Sequence, residues 1–169
     1  AMAEALASGR RAGLLTMATG TGKTRTAIAL VDLLMRANLV KRVLFLADRV
    51  ALVKQAANAF KTHLPDSSPV NLVTDKDGQG RAFLSTYPPM MGLIEGGDLG
   101  RVIGGVGHRS VYQKYGAIFR YFDSYLLGLT ATPRDEVDRD TYHLFGLETG
   151  VPTDAYGLDE AVADGFLVP

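Results

Sequence analysis

The sequence predicts an α/β domain, a mostly parallel sheet flanked by helices. Three observations lead there. Short apolar runs alternate with longer segments of helical period along the chain. A Gly- and Thr-rich segment at 17–24 joins one such run directly to a helix, the setting that a phosphate-binding loop requires. The composition is that of an ordinary globular protein, 47% hydrophobic and 21% charged over 169 residues. A chain of that length can bury roughly 70% of its unfolded surface.

The elements follow in order. Residues 2–9 have helical character, and Gly13 to Met17 form a short apolar run that reads as a buried strand. Residues 23–36 read as a helix, with Ile28, Leu30, Val31, Leu33, Leu34 and Met35 apolar and no Pro or Gly inside. Residues 42–47 are apolar, short and flanked by charge, as a buried parallel strand is. A helix is expected from Val50 to His63, stopped by Pro65. A weak strand at 70–73, a polar turn at 74–80 and a strand at 82–86 come next, then a helix opened by Pro88 or Pro89 that runs to Ile94. Six of the 13 residues at 96–108 are glycine, which disfavours a long regular element there. Residues 111–122 are amphipathic at helical spacing, and their aromatics Tyr112, Tyr115, Phe119, Tyr121 and Phe122 read as core rather than as base-stacking platforms. A strand at 125–130, a charged solvated run at 134–140, an apolar stretch from Tyr142 to Leu147 and a short helix at 158–164 complete the chain. The apolar ending Phe166-Leu167-Val168 before Pro169 reads as cut rather than capped, its packing partner missing.

Composition narrows function. Lys plus Arg is 18 and Asp plus Glu is 18, so a wholly basic nucleic-acid coat is excluded, although a local basic patch is not. With no cysteine there is no disulfide, thiolate zinc site or thiol nucleophile. The three histidines, His63, His108 and His143, are scattered, and His63 suits the C-terminal end of a helix dipole. No apolar run approaches about 18 residues, and the opening AMAEALASGRR has no secretory core. The expectation is a soluble, cytoplasmic protein with no membrane span.

The strongest chemical signal is Met17-Ala18-Thr19-Gly20-Thr21-Gly22-Lys23-Thr24. Glycines let backbone N–H groups turn inward around a β-phosphate, and the helix N-terminus adds a favourable dipole. Lys23 can reach the β- and γ-phosphates of ATP, and the Thr24 hydroxyl can ligate Mg2+. Thr19, Gly20, Thr21 and Gly22 supply the loop. The strict pattern wants Gly where Met17 stands. The second signal is Gly128-Leu129-Thr130-Ala131-Thr132-Pro133, a buried strand that ends in two hydroxyls at the sheet edge where ligands bind.

Together these segments resemble the first RecA-like domain of a superfamily 2 helicase. The stretches Phe45-Leu46-Ala47-Asp48-Arg49, Phe83 to Pro88, Arg109-Ser110-Val111-Tyr112-Gln113-Lys114-Tyr115, Asp135 to Arg139 and the tail from Gly150-Val151-Pro152-Thr153 through Leu167-Val168-Pro169 are similar to the motor (R) subunit of type I restriction enzymes. The resemblance covers almost the whole chain. It implies a RecA-like P-loop NTPase domain over residues 1–169, with the nuclease domain and the second RecA-like domain absent. It also implies ATP and Mg2+ as cofactors. Weak, sequence-independent contacts with duplex DNA are expected, and specificity and methyltransferase subunits as partners. Lys23 and Thr24 then handle phosphate and magnesium, and Thr130, Ala131 and Thr132 couple nucleotide state to DNA. Ala47, Asp48 and Arg49 correspond to a DNA-side motif, and Ser85 and Thr86 to the strand-end motif after it.

One departure matters. The family carries a strand ending in Asp-Glu-Ala-His (the Walker B strand) before its Arg-Ser-Val-Tyr segment, whereas Gly105-Val106-Gly107-His108 precedes Arg109 here. The missing Asp would hold magnesium and the missing Glu would polarise water. Two readings stay open. Either His108 is the motif histidine with its neighbours changed, or a short block between His108 and Arg109 has been deleted, so that the strand is lost or shortened. ATP binding with impaired hydrolysis is expected in both. The alternatives are a non-hydrolysing nucleotide-binding module and a small P-loop kinase that uses Asp48 for magnesium. Asp98 reads as a solvated loop residue.

Overall fold

The computed structural model describes residues 2–76, 78–97, 117–119, 121–131 and 139–168. Contacts divide the chain into two compact units, Ala1–Lys23 with Ser124–Pro169, and Thr24–Asp123. Every strand pairing described is parallel.

In the unit formed by both chain ends, helix α1 (Met2–Ala7) leads into strand β1 (Ala12–Met17). Later come strand β5 (Leu126–Thr130), helix α5 (Arg139–Leu144), strand β6 (Asp154–Tyr156) and helix α6 (Leu158–Ala163). The sheet order is β5-β1-β6, so β1 lies in the middle and its residues Gly13 to Thr16 are buried. Leu14, Tyr142 and Phe145 form the core of this unit, with Ala12, Leu126 and Leu147 packed around them. The ends of the chain meet here because neither β1 nor its short neighbours can bury an apolar surface alone.

The other unit holds helix α2 (Lys23–Arg36, whose first residue is the last of the previous unit), strand β2 (Val43–Ala47), helix α3 (Val50–His63), strand β3 (Pro69–Asn71), strand β4 (Ala82–Thr86) and helix α4 (Tyr87–Glu95). Its sheet order is β2-β4-β3. Side chains alternate across the sheet as the pleat demands. Ala82 and Leu84 join Ile28 and Val31 of α2 and Val53, Ala56, Ala57 and Phe60 of α3 in one cluster. Phe83 points the other way, to Met90 and Leu93 of α4 and to Ile118. Helices therefore cover both faces, which explains why β2 and β4 are apolar without alternation. Tyr121 and Phe122 pack against the second cluster and Tyr87 meets the Phe119 ring edge-on at 6.4 Å, so these aromatics belong to the core.

The expected helices at 23–36 and 50–63 and the strand at 82–86 have these bounds. The weak strand lies slightly earlier than expected, and the stretch at Tyr142 begins inside α5. Strand β6 is additional to the expected set. The glycine-rich run from 98 onward, Thr132 and most of the 111–122 segment fall outside the described residues. No helix among the described residues is long and apolar enough to cross a membrane.

Candidate nucleotide-binding site

The buried strand β1 ends at Met17, and the chain turns through residues 18–22 before α2 begins at Lys23. Two glycines make the turn possible. Gly20 and Gly22 both adopt φ +87°, which side-chain-bearing residues rarely do. The loop is tied to itself and to the sheet. Ala18 N–H donates to the Tyr156 carbonyl at 2.9 Å, and the Thr21 hydroxyl donates to the Ala18 carbonyl at 2.7 Å. Lys23 Nζ donates to the Met17 and Ala18 carbonyls at 3.1 and 3.0 Å. The ammonium thus crosses the mouth of its own loop, and partial burial lowers its pKa from the ordinary lysine value. A cation held on backbone carbonyls in a turn of left-handed glycines fits a polyphosphate, which offers stronger acceptors than those carbonyls. Thr24 follows in the first turn of α2, and Thr19 and Gly20 are exposed.

Thr130 closes β5 directly beside Thr16 of β1, one residue before the loop's first member, and Ala131 after it is exposed. The structure therefore brings Thr130 and the phosphate loop to one sheet end, whereas Thr132 lies outside the described residues.

The remaining predicted site residues are in the other unit. Ala47 pairs with Thr86 and Leu46 with Ser85, so both motifs lie at the C-terminal end of the β2–β4 pair. Asp48 and Arg49 are exposed there, their side chains 66% and 79% accessible and 3.5 Å apart. Arg49 is also the residue before α3. Ser85 is fully buried and donates its hydroxyl to the Thr86 carbonyl at 3.0 Å, and Thr86 is buried as well. Burial, and then the Asp48 charge, raise the Tyr87 pKa. No group of three or more His, Asp or Glu among the described residues is placed to hold a metal ion.

Sequence reasoning missed Tyr156, whose backbone carbonyl anchors Ala18, and Leu167, which packs on Gly20. Both lie in the tail that resembles the family, yet no local signal singles out a backbone carbonyl or a contact made between distant segments.

A parallel α/β sheet that delivers a glycine loop, a lysine and a helix N-terminus in succession is the RecA-like helicase fold. A family model described as "Type III restriction enzyme, res subunit" matches residues 1–135, and the chain belongs to that family. It is 33% identical over 187 aligned positions to the type I restriction enzyme EcoAI endonuclease subunit of Escherichia coli, a match covering 98% of this chain and 22% of that protein. It is 31% identical over 202 positions to the EcoKI endonuclease subunit of Escherichia coli strain K12, covering 99% of this chain and 17% of that one. The chain thus spans 22% and 17% of the length of these relatives. Both alignments run longer than the 169-residue chain, so each relative carries residues in this region that the chain lacks. The fold is similar to a fragment assigned as an HsdR subunit of a type I restriction enzyme from Vibrio vulnificus YJ016, with TM-score 0.68 at 24% identity over 99% of this chain and 30% of that one. It is also similar to a nuclease-deletion mutant of the type ISP restriction-modification enzyme LlaGI in complex with a DNA substrate mimic, with TM-score 0.69 at 20% identity over 97% of this chain and 19% of that one. The resemblance to restriction-enzyme motor subunits, drawn from the motifs, is borne out.

Proposed function

We propose that residues 1–169 form the ATP-binding domain of a DNA-translocating restriction motor of the type I R-subunit kind, able to hold nucleotide and impaired in hydrolysing it. The observation that carries this reading is Lys23 Nζ on the Met17 and Ala18 carbonyls, within a loop whose two glycines are left-handed. The backbone of residues 19–22 would cradle the phosphates of ATP, and Lys23 would exchange its carbonyl acceptors for phosphate oxygens. Thr24 would hold Mg2+, which supplies charge neutralisation between the β- and γ-oxygens. Thr130, beside Thr16 in the β1–β5 register, would pass nucleotide state toward DNA together with Ala131 and Thr132.

DNA contact in this reading is weak and made to phosphates, which position without reading sequence. The exposed Arg49 is the group suited to it, beside Asp48. Ser85 and Thr86, being buried, would act by fixing the strand end that presents them. Sequence recognition and methylation belong to specificity and methyltransferase partners, in a cytoplasmic assembly.

Impaired hydrolysis is supported by two observations. The sequence holds no Asp or Glu between Asp98 and Asp123. The relatives also carry residues in the matched region that this chain lacks, as the deletion reading requires. The same observations support the second reading, a nucleotide-binding module that does not hydrolyse. Asp48, turned toward Arg49, gives the kinase reading no support.

The test is a fluorescent-ATP titration with and without magnesium, beside Lys23→Ala. Loss of two charge-assisted hydrogen bonds predicts affinity weaker by a factor of roughly 10 to 100 or more. Equal affinity in both proteins overturns the nucleotide reading. Strong DNA-stimulated ATP turnover by the isolated chain overturns the impairment.

A further inference from the structure

We propose that Leu167 is a positioning residue of the phosphate loop, held there by a strap that runs from β6 through α6. The strap begins on the sheet. Asp154, Ala155 and Tyr156 pair with Leu15, Thr16 and Met17, and Tyr156 then accepts the Ala18 N–H. One residue earlier, Thr153 binds Leu14 twice, its N–H to the Leu14 carbonyl at 2.9 Å and its hydroxyl accepting the Leu14 N–H at 3.1 Å.

Helix α6 then returns the chain to the loop. Its end is closed by both hydrogen bonds of a left-handed glycine cap. Gly165, at φ +76°, donates to the Val162 carbonyl at 3.0 Å, and Phe166 donates to the Ala161 carbonyl at 2.9 Å. Leu167 donates to the same Ala161 carbonyl at 3.2 Å, and Ala161 is fully buried. This turn aims the Leu167 side chain at Gly20. A Cβ placed on Gly20 would lie 3.1 Å from Leu167 Cδ2, so the leucine closes the space on that side of the loop. The neighbours behave differently, with Phe166 72% and Val168 86% exposed. One further bond ties the strap across its own bend, from the Tyr156 hydroxyl to Asp164 Oδ2 at 2.8 Å.

The loop is therefore fixed at two points from one segment, at Ala18 through a carbonyl and at Gly20 through an apolar contact. A glycine at φ +87° has many other conformations open to it, and Leu167 removes those that need the space it fills. The consequence for affinity rests on the nucleotide reading of the loop. The packing does not.

Two measurements on the full chain test this. Amide hydrogen exchange of residues 18–22, without ligand, compares the parent with Leu167→Ala, Leu167→Met, Phe166→Ala and Tyr156→Phe. Loss of a leucine contact predicts exchange about tenfold faster at these amides in Leu167→Ala, near-parent rates in Leu167→Met and Phe166→Ala, and a smaller rise in Tyr156→Phe. If Leu167→Ala unfolds the chain, Tyr156→Phe carries the comparison. Unchanged loop exchange in both variants overturns the proposal. Titration with ATP and with inorganic tripolyphosphate then reads the effect on binding. A residue that acts through the loop weakens both by a similar factor, about tenfold in Leu167→Ala. Weakening of ATP alone overturns the proposal, because it means contact with the nucleoside. Localised exchange changes in a parent that binds neither probe uphold the strap and reject the nucleotide reading.

Discussion

Gly128 carries no side chain because there is no room for one. A Cβ there would run into the Phe145 ring and Leu14, two core residues of its unit that cannot both withdraw. Gly128→Ala is therefore expected to destabilise by roughly 1–3 kcal/mol, the usual range for overpacking, measured by urea unfolding. Gly22 is the opposite case, with open space around it and φ +87°. Gly22→Ala should leave the core intact and weaken polyphosphate binding, read in the titration used for Lys23→Ala. Two titrating groups give a pH signature. The Tyr156 hydroxyl is pushed up to about 12 by desolvation, then by its bond to Asp164 and the charges of Asp164 and Glu160. A raised pKa contributes stability that is fully present below 10.0 and is lost as pH rises through about 12. Lys23 has the opposite sign. Its lowered pKa makes stability rise as pH approaches 10.5, because the folded chain gives up that proton first. Unfolding midpoints should fall above 10.5 in the parent, where Lys23 no longer offsets the loss, and the fall should shrink in Tyr156→Phe.

At the scale of elements, α3 shows where stability resides. Phe60 is fully buried, sits with Val53 and Leu84, and meets the Phe45 ring edge-on at 6.1 Å. Phe60→Ala should cost about 3–5 kcal/mol, checked by the shift of the unfolding midpoint. The same element shows why much of this fold could be read from sequence. Helices α2 and α3 have no internal Gly or Pro, one apolar face each and clear stops, and β2 and β4 are apolar runs between charges or turns. The glycine turn before α2 was legible for the same reason, since it depends on adjacent residues. Strand β6 was not. Asp-Ala-Tyr is short and opens on two residues that disfavour strands, and its pairing with β1 makes it one. Nor could sequence show that Ser85 and Thr86 are buried or that Leu167 reaches Gly20, because each depends on segments distant in the chain.

For the whole molecule, the missing carboxylates set the expected behaviour toward metal. If a block between His108 and Arg109 is deleted, the chain should bind ATP with an affinity that changes less than about tenfold when magnesium is removed. Inserting an apolar strand that ends in Asp-Glu-Ala-His at that point should restore the metal dependence, as calorimetry would show. The sheets have a further consequence. Strand β2 is apolar, partly buried throughout, and paired on one side only among the described residues. The buried middle strands β1 and β4 are paired on both sides. Where such an edge meets solvent, with no proline or charge along it, it is a template on which another polypeptide can add hydrogen bonds. Solubility should therefore be limited by edge-to-edge growth rather than by net charge, which is +0 and offers little repulsion. Light scattering should rise steeply with concentration, and a single lysine placed within β2 should suppress that rise more than several placed on the outer faces of the helices.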